Sequence, residues 1–488
     1  MNMANLIFII YQVVVVLTII HVVMDNRQPA KTMAWALVIY FVPIIGIVAY
    51  LFFGINTRKE RYVSRRSMNM LTRRSMLQFA EQPPLMLPDE HESLIHLFAR
   101  QSSAPPFDGN AVSLMSSGYE FFPSLLSDIA SAKSHIHIDV YIFEEDPLGR
   151  LISDALIARA KEGVEVRIIY DDVGCWSVRN RFFEQMREAG IEVEPFMPVR
   201  FPKFTNKANY RNHRKLFVID GCIGYIGGMN IALRYVKSSK QAEGCWRDTM
   251  ARIQGRGVYS LQQAFLIDWY FVDRTLLSDH KYYPLPTLTS HLSPLTSYLS
   301  SLTSTNVLLQ TITSGPNSNL PEIMQGYVNI ILAARRYIYI ETPYFLPNSA
   351  VLFALKTAAS AGVDVRLIVP LRSDARITQW ASRSYLREIA EAGVSIFFYK
   401  AGFLHSKLLV ADDSICTCGS ANVDFRSFEN NFEANTFFYS SALTQQMRDL
   451  FLADLQQSVP LESLPRYLRP SFGTRLLESI TRLMSPLL

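Results

Sequence analysis

The chain has 488 residues, enough for two or three domains. Its 49% hydrophobic and 12% aromatic content excludes a disordered polymer. The net charge of +5 is mild, and the five cysteines have no framework spacing, which points to reduced thiols in a cytoplasmic body.

Ala4 to Met24 is an uninterrupted apolar run, long enough to span a bilayer, and Met33 to Phe53 is a second. The connector Asp25–Thr32 is short, so residues 1–54 read as a transmembrane helical hairpin. A cleaved signal peptide fits poorly: there is no positive n-region and no small-residue cleavage site, and it leaves the second run unexplained. Arg58, Lys59, Arg61, Arg65, Arg66, Arg73 and Arg74 follow, against only Arg27 and Lys31 in the connector. The positive-inside rule then predicts a cytoplasmic N-terminus and a cytoplasmic chain after Phe53. The basic residues of this juxtamembrane segment, 55–105, also suit anionic headgroups. His91 and His96 lie five apart, on different sides of a helix, and form no zinc site.

The region 106–460 repeats itself. Ile136–Phe143 corresponds to Ile338–Phe345, Lys161–Ile169 to Ser360–Ile368, and Glu188–Val193 to Glu391–Ile396. Each half reads as strands alternating with helices, which predicts an α/β domain over 106–283 and another over 306–460, paired about a pseudo-two-fold axis. Between them, 284–305 is Pro-, Leu-, Ser- and Thr-rich with almost no charge and reads as a linker. His135 and His137 alternate on a strand and read as packed residues, as does Cys416-Thr417-Cys418, which has no second ligand pair for a metal.

Each half ends in one motif. The first is His213-Arg214-Lys215, Asp220 and Gly227-Gly228-Met229-Asn230; the second is His405-Ser406-Lys407, Asp412 and Gly419-Ser420-Ala421-Asn422. Both run into apolar strands, where His and Lys at i and i+2 share a face. An imidazole beside a fixed ammonium suits a phosphate ester: one attacks or moves a proton, the other neutralises the phosphoryl oxygens. No nucleotide-binding loop is present, and the glycines Gly221, Gly224, Gly227 and Gly228 have the wrong spacing for one. Just before the first motif, Arg200, Lys203, Lys207 and Arg211 stand among Phe201, Phe204 and Tyr210. Such a basic-aromatic loop suits lipid phosphate or a nucleic-acid backbone, and the membrane segment favours lipid. The tail 461–488 carries Leu476, Leu477, Ile480, Leu483 and Met484 on one helical face, to be packed on the protein or laid on a bilayer.

The duplicated HxKxxxxD and G-[G/S]-x-N pattern resembles the phospholipase D superfamily, with Gly228 standing where the pattern has serine. Arg27–Trp35, Pro43–Gly46 and Leu51–Gly54 are similar to the N-terminal hairpin of bacterial cardiolipin synthases. Together these cover nearly the whole chain. The resemblance implies two phospholipase D-like α/β domains as a pseudo-dimer behind a membrane hairpin, in the bacterial inner membrane, with cytoplasmic, multi-pass topology. It implies transfer of a phosphatidyl group between two phosphatidylglycerols, giving cardiolipin and glycerol, without metal, cofactor or nucleic acid. His213 would be the nucleophile, forming a phosphatidyl-histidine, and His405 the acid/base. Lys215, Lys407, Asn230 and Asn422 would hold the phosphoryl oxygens. Asp220 and Asp412 complete the catalytic set, though their place five residues past the lysines suits bracing. Asp248 and Glu433 follow their histidines by similar intervals and would orient them. A hydrolytic phospholipase D, a phosphatidyltransferase with another alcohol, a membrane-tethered nuclease and an inactive lipid-binding scaffold are the alternatives; intact His and Lys in both motifs oppose the last.

Overall fold

The computed structural model describes residues 3–25, 29–54, 85–102, 104–199, 209–238, 244–284, 303–316, 318 and 320–487. The basic run Arg58–Arg74, the loop residues Arg200, Lys203 and Lys207, and linker residues 285–302 lie outside them. The chain divides into two compact units, a small one with the N-terminal helices and a large one with the repeat.

In the small unit, α1 (Met3–Met24) contains a 20-residue apolar stretch, Asn5–Met24, long enough to cross a membrane. The second apolar run is not a single spanning helix. It breaks into α2 (Pro29–Phe41) and α3 (Pro43–Ala49) at Val42, whose φ of -134° and ψ of 65° leave the helical region. Pro43 lacks an N–H to continue α2, and its fixed φ starts α3 instead. α3 then doubles back: the Tyr50 ring lies 5.6 Å from that of Trp35 and 6.3 Å from that of His21. A continuous helix would hold residues 35 and 50 about 22 Å apart. Gly46 permits the reversal, because a Cβ there would lie 2.9 Å from the Ile39 Cα.

The large unit is built on one sheet of fifteen strands. The first half supplies β1 (Phe107–Met115), β2 (His135–Val140), β3 (Glu165–Asp171), β4 (Glu192–Phe196), β5 (Lys215–Ile219), β6 (Ile223–Gly227) and β8 (Met250–Gln254), with a short β7 (Trp246–Arg247) outside it. The second supplies β9 (Thr303–Ser314), β10 (Tyr337–Glu341), β12 (Asp364–Pro370), β13 (Ser395–Tyr399), β15 (Leu408–Ala411), β16 (Ile415–Gly419), β18 (Glu433–Tyr439) and β19 (Ser458–Pro460). Its short pairs are β11 (Phe345–Leu346) with β17 (Val423–Asp424), and β14 (Phe403–Leu404) with β7. Spatial order is β1-β8-β6-β5-β2-β3-β4 in one half and β9-β18-β16-β15-β10-β12-β13 in the other, position for position the same, with β19 added at the edge. The halves do not keep separate sheets: β1 and β9 pair antiparallel, for example Val112 with Ser304, and fuse them.

The motif strands are buried on both faces, which is why they read as unbroken apolar runs. Along β5, Phe217 and Ile219 face the core of the first half, packed under helices such as Gly118–Ser131 and Pro147–Lys161. Leu216 and Val218 face the opposite side, where one core joins both halves through Leu261, Leu408, Phe438 and Phe451. The helix Glu92–Gln101, expected in the juxtamembrane segment, instead sets Leu94, Ile95 and Phe98 into the core of the second half.

Candidate active site

The histidines do not stand on the motif strands, as their spacing suggests. β5 begins at Lys215 and β15 at Leu408, so His213 and His405 occupy the approaches. Those approaches are stitched to the opposite half. Asn212 bridges Phe432 in parallel, and the His213 N–H donates to the Phe432 carbonyl at 2.9 Å. β14 pairs with β7, and the His405 N–H donates to the Arg247 carbonyl at 2.7 Å.

The residue following each stitch is an acid, and the partners therefore cross over. His213 Nδ1 lies 3.0 Å from Glu433 Oε1, and His405 Nδ1 lies 2.6 Å from Asp248 Oδ2. The similar sequence intervals suggest that each acid serves the histidine of its own half; the structure corrects this. Asp248 and Glu433 head β8 and β18, which flank the central β1–β9 pair, so each sits nearest the motif from across the axis. With Nδ1 committed to a carboxylate, Nε2 of each ring is left for chemistry.

The two pairs differ in one compensated detail. Ser420 donates its hydroxyl to Glu433 Oε2, and Asn431 Nδ2 adds a contact of 3.3 Å to Oε1. Burial raises the Glu433 pKa, but His213, Lys215 and Ser420 outweigh it and hold this carboxyl below its usual range. Opposite Asp248 stands Gly228, where a Cβ would lie 2.2 Å from Oδ1 and 2.6 Å from Oδ2. The shorter acid fills the place of the missing serine side chain. Burial pushes Asp248 up to about 6, against the pull of Lys407 and the Thr249 N–H.

Both lysines are buried, and each donates to the carbonyl of its own histidine, Lys215 to His213 at 2.5 Å and Lys407 to His405. Burial lowers Lys215 to about 7 and Lys407 to about 8, each also repelled or relieved by charges from the other half. Burial likewise lowers His213 to about 4, with Glu433 opposing, and drives His405 well below 6.5, helped by Lys407, Lys215 and His213. The centre is thus buried and cation-rich, and an anion would relieve it. Tyr141 borders it, its ring 4.9 Å from that of His213 and 5.2 Å from Lys215 Nζ.

Other expected residues lie elsewhere. Asp220 and Asp412, both with φ of 52°, sit at the far ends of the motif strands. The Asp220 carboxylate accepts from the N–H groups of Lys133, Ser134 and His135, and Asp412 from those of Arg335, Arg336 and Tyr337. They brace strand ends and are not in the reacting set. Asn230 Oδ1 accepts from the Ile142 N–H, and Asn422 Nδ2 donates to Asp424, so both amides chiefly fix loops beside the site. Arg211 is buried, 3.5 Å from Asp171, and is not exposed for headgroup binding.

Sequence reasoning missed what lies beneath the histidines. Asp139 and Asp268 share Arg214 in one half; Glu341 and Asp454 share Arg247 in the other. Burial and the neighbouring carboxylate push Asp139 and Glu341 well up. Both arginines come from the first half, Arg214 from the motif and Arg247 from the segment bearing Asp248, so the second cluster is itself bridged across the halves. An acid at matching positions of the two repeat strands, Asp139 on β2 and Glu341 on β10, was the available signal. Among the described residues, no cluster of three or more His, Cys, Asp or Glu is arranged to hold a metal.

Two histidine–lysine pairs facing each other across a duplicated α/β sheet define a phosphodiester-processing class. Residues 125–260 and 327–455 match the family model for the cardiolipin synthase, phospholipase D-like domain, and 13–54 match the phospholipase D-nuclease N-terminal model. A cardiolipin synthase of Oceanobacillus iheyensis is 39% identical, and the major cardiolipin synthase ClsA of Bacillus subtilis 36%, each over 97% of both chains. The crystal structure of phosphatidylserine synthase from Haemophilus influenzae shares the fold, with a TM-score of 0.59 at 16% identity over 86% of this chain and all of that one. The chain belongs to the cardiolipin synthase family of phospholipase D-like proteins.

Proposed function

We propose that this enzyme is a phosphatidyltransferase that joins two phosphatidylglycerols into cardiolipin and releases glycerol. The observation that carries the reading is the crossed pairing of His213 with Glu433 and His405 with Asp248, which unites both histidines and both lysines in one centre.

His213 is the nucleophile. Its Nδ1 faces the more firmly ionised carboxylate, and its side chain is 12% exposed against 6% for His405. Nε2 attacks phosphorus, giving a phosphatidyl-histidine. His405 protonates the departing glycerol oxygen, then takes the proton of the incoming glycerol hydroxyl. Lys215 and Lys407 neutralise the phosphoryl oxygens, and the arriving phosphodiester raises the depressed pKa of both lysines and of His405, so that His405 can hold its proton. Asp248 and Glu433 set the tautomers. Glycerol and the acceptor hydroxyl are equivalent alcohols, so the exchange is close to thermoneutral and needs no nucleotide. The catalytic halves correspond to 106–283 and 303–460, the second beginning with β9 three residues earlier than the linker reading placed it.

Purified protein with labelled phosphatidylglycerol, resolved by thin-layer chromatography, tests the reaction. Cardiolipin supports it; phosphatidic acid alone would mean hydrolysis, and no product would mean a scaffold.

The catalytic body lies on the cytoplasmic side of the cell membrane. With α3 doubling back, only α1 crosses, and the connector emerges on the same side as residue 54. The connector and the run to Arg74 then place nine Lys and Arg on that side, in keeping with the positive-inside rule. This revises the two-span reading: the N-terminal end of α1 faces outward. An impermeant thiol reagent on intact cells should label Asn2→Cys and spare Asn26→Cys; the reverse pattern would restore two crossings.

A further inference from the structure

The C-terminal helix Phe472–Leu483 is mounted with its polar side inward. Glu478, Thr481 and Ser485 are buried, while Phe472, Leu476, Leu477, Ile480, Leu483 and Met484 are exposed, Phe472 to 84% and Leu483 to 82%. A surface helix of a soluble body does the opposite. Ion pairs fix this orientation on the helix Arg376–Ala390: Arg387 with Glu478 at 2.5 Å and Arg482 with Glu388, the Arg482 guanidinium also lying 4.0 Å from the Tyr385 ring centre.

We infer that this apolar stripe is a second membrane contact, docking the catalytic body on an anionic bilayer. Three observations choose the occupant. From Leu464 to Pro486 the exposed charged side chains are Arg466, Arg469 and Arg475, all positive, as an anionic surface requires. The stripe is one helix wide, on the order of 500 Å², below the ~800 Å² per partner of a stable protein interface. A basic-rimmed apolar helix held flat is the form that lies in a headgroup layer. The choice of occupant rests on the lipid-substrate reading, because the body must reach phosphatidylglycerol within a bilayer. The polar mounting holds the stripe outward without lipid, so the contact is preformed.

The test uses full-length protein with Cys222→Ser and Cys245→Ser, and an environment-sensitive fluorophore on Leu483→Cys. Reconstitution is into phosphatidylcholine vesicles with or without ~30% phosphatidylglycerol, the acyl chains brominated. Bromine quenches only a label inside the hydrocarbon. Loss of about half the emission, deeper with phosphatidylglycerol, is the expected result; emission unchanged by bromination overturns the inference. This readout needs no turnover, so it stands apart from the proposed reaction. The triple variant F472S/I480S/L483S should raise KM for vesicular phosphatidylglycerol by roughly 3–10-fold and leave kcat in detergent micelles as it is. A variant that halves the particle mass instead would assign the stripe to a second copy of the chain, and one that loses micellar turnover would assign it to the fold; either outcome overturns the proposal.

Discussion

Gly228→Ser restores the family's usual residue, yet it should damage the enzyme. The new Cβ would stand 2.2 Å from one Asp248 oxygen and 2.6 Å from the other, so the carboxylate must withdraw by about 1 Å to reach ordinary contact. The Asp248–His405 bond is only 2.6 Å long, and a shift of that size breaks it or turns the ring. A misplacement of ~1 Å at a reacting group costs on the order of 10²-fold, or about 2.7 kcal/mol in the barrier. Overpacking adds roughly 1–3 kcal/mol of lost stability. The assay is cardiolipin formation from labelled phosphatidylglycerol in micelles, with thermal unfolding run in parallel. The double variant G228S/D248E copies the Ser420–Glu433 arrangement and should recover at least ~10-fold of the loss. A folded G228S enzyme retaining more than about a third of wild-type turnover would refute the argument.

His213→Ala and His405→Ala should each reduce synthesis by at least ~10²–10⁴-fold, measured in the same assay on folded protein. A phosphatidyl ester with a p-nitrophenol leaving group needs no general acid, so in a burst assay it should rescue His405→Ala and Asp248→Asn but not His213→Ala or Glu433→Gln; rescue of Glu433→Gln instead would contradict the crossed pairing. For the pH profile, Lys215 and Lys407 are lowered from 10.5 to about 7 and about 8, so the free enzyme loses its phosphate-holding cations as pH rises through that window. kcat/KM should therefore fall above about pH 8, and a profile flat to ~9.5 would show that the lysines stay charged. Activity in micelles should survive prolonged EDTA treatment, since the lysines carry the charge of the site; loss reversed only by a divalent cation would mean a metal takes part.

Much of this protein is legible in one dimension because its determinants are local or periodic. The duplicated His-Lys pattern names the chemistry, the apolar runs of β5 and β15 name buried strands, and the repeat names a pseudo-dimer. α1 is likewise evident from 20 apolar residues. What required tertiary structure is every property that depends on which half touches which. Asp248 and Glu433 are visible as acids, but only the flanking of the β1–β9 seam by β8 and β18 gives each to the opposite histidine. Gly228 looks like a defect until Asp248 is seen to occupy its Cβ position. The second apolar run has the length of a span, yet hydropathy is blind to the reversal that Pro43 and Gly46 impose. The C-terminal helix is amphipathic in sequence, but an amphipathic pattern does not say which face is inward; the ion pairs of Glu478 and Arg482 with the neighbouring helix decided that.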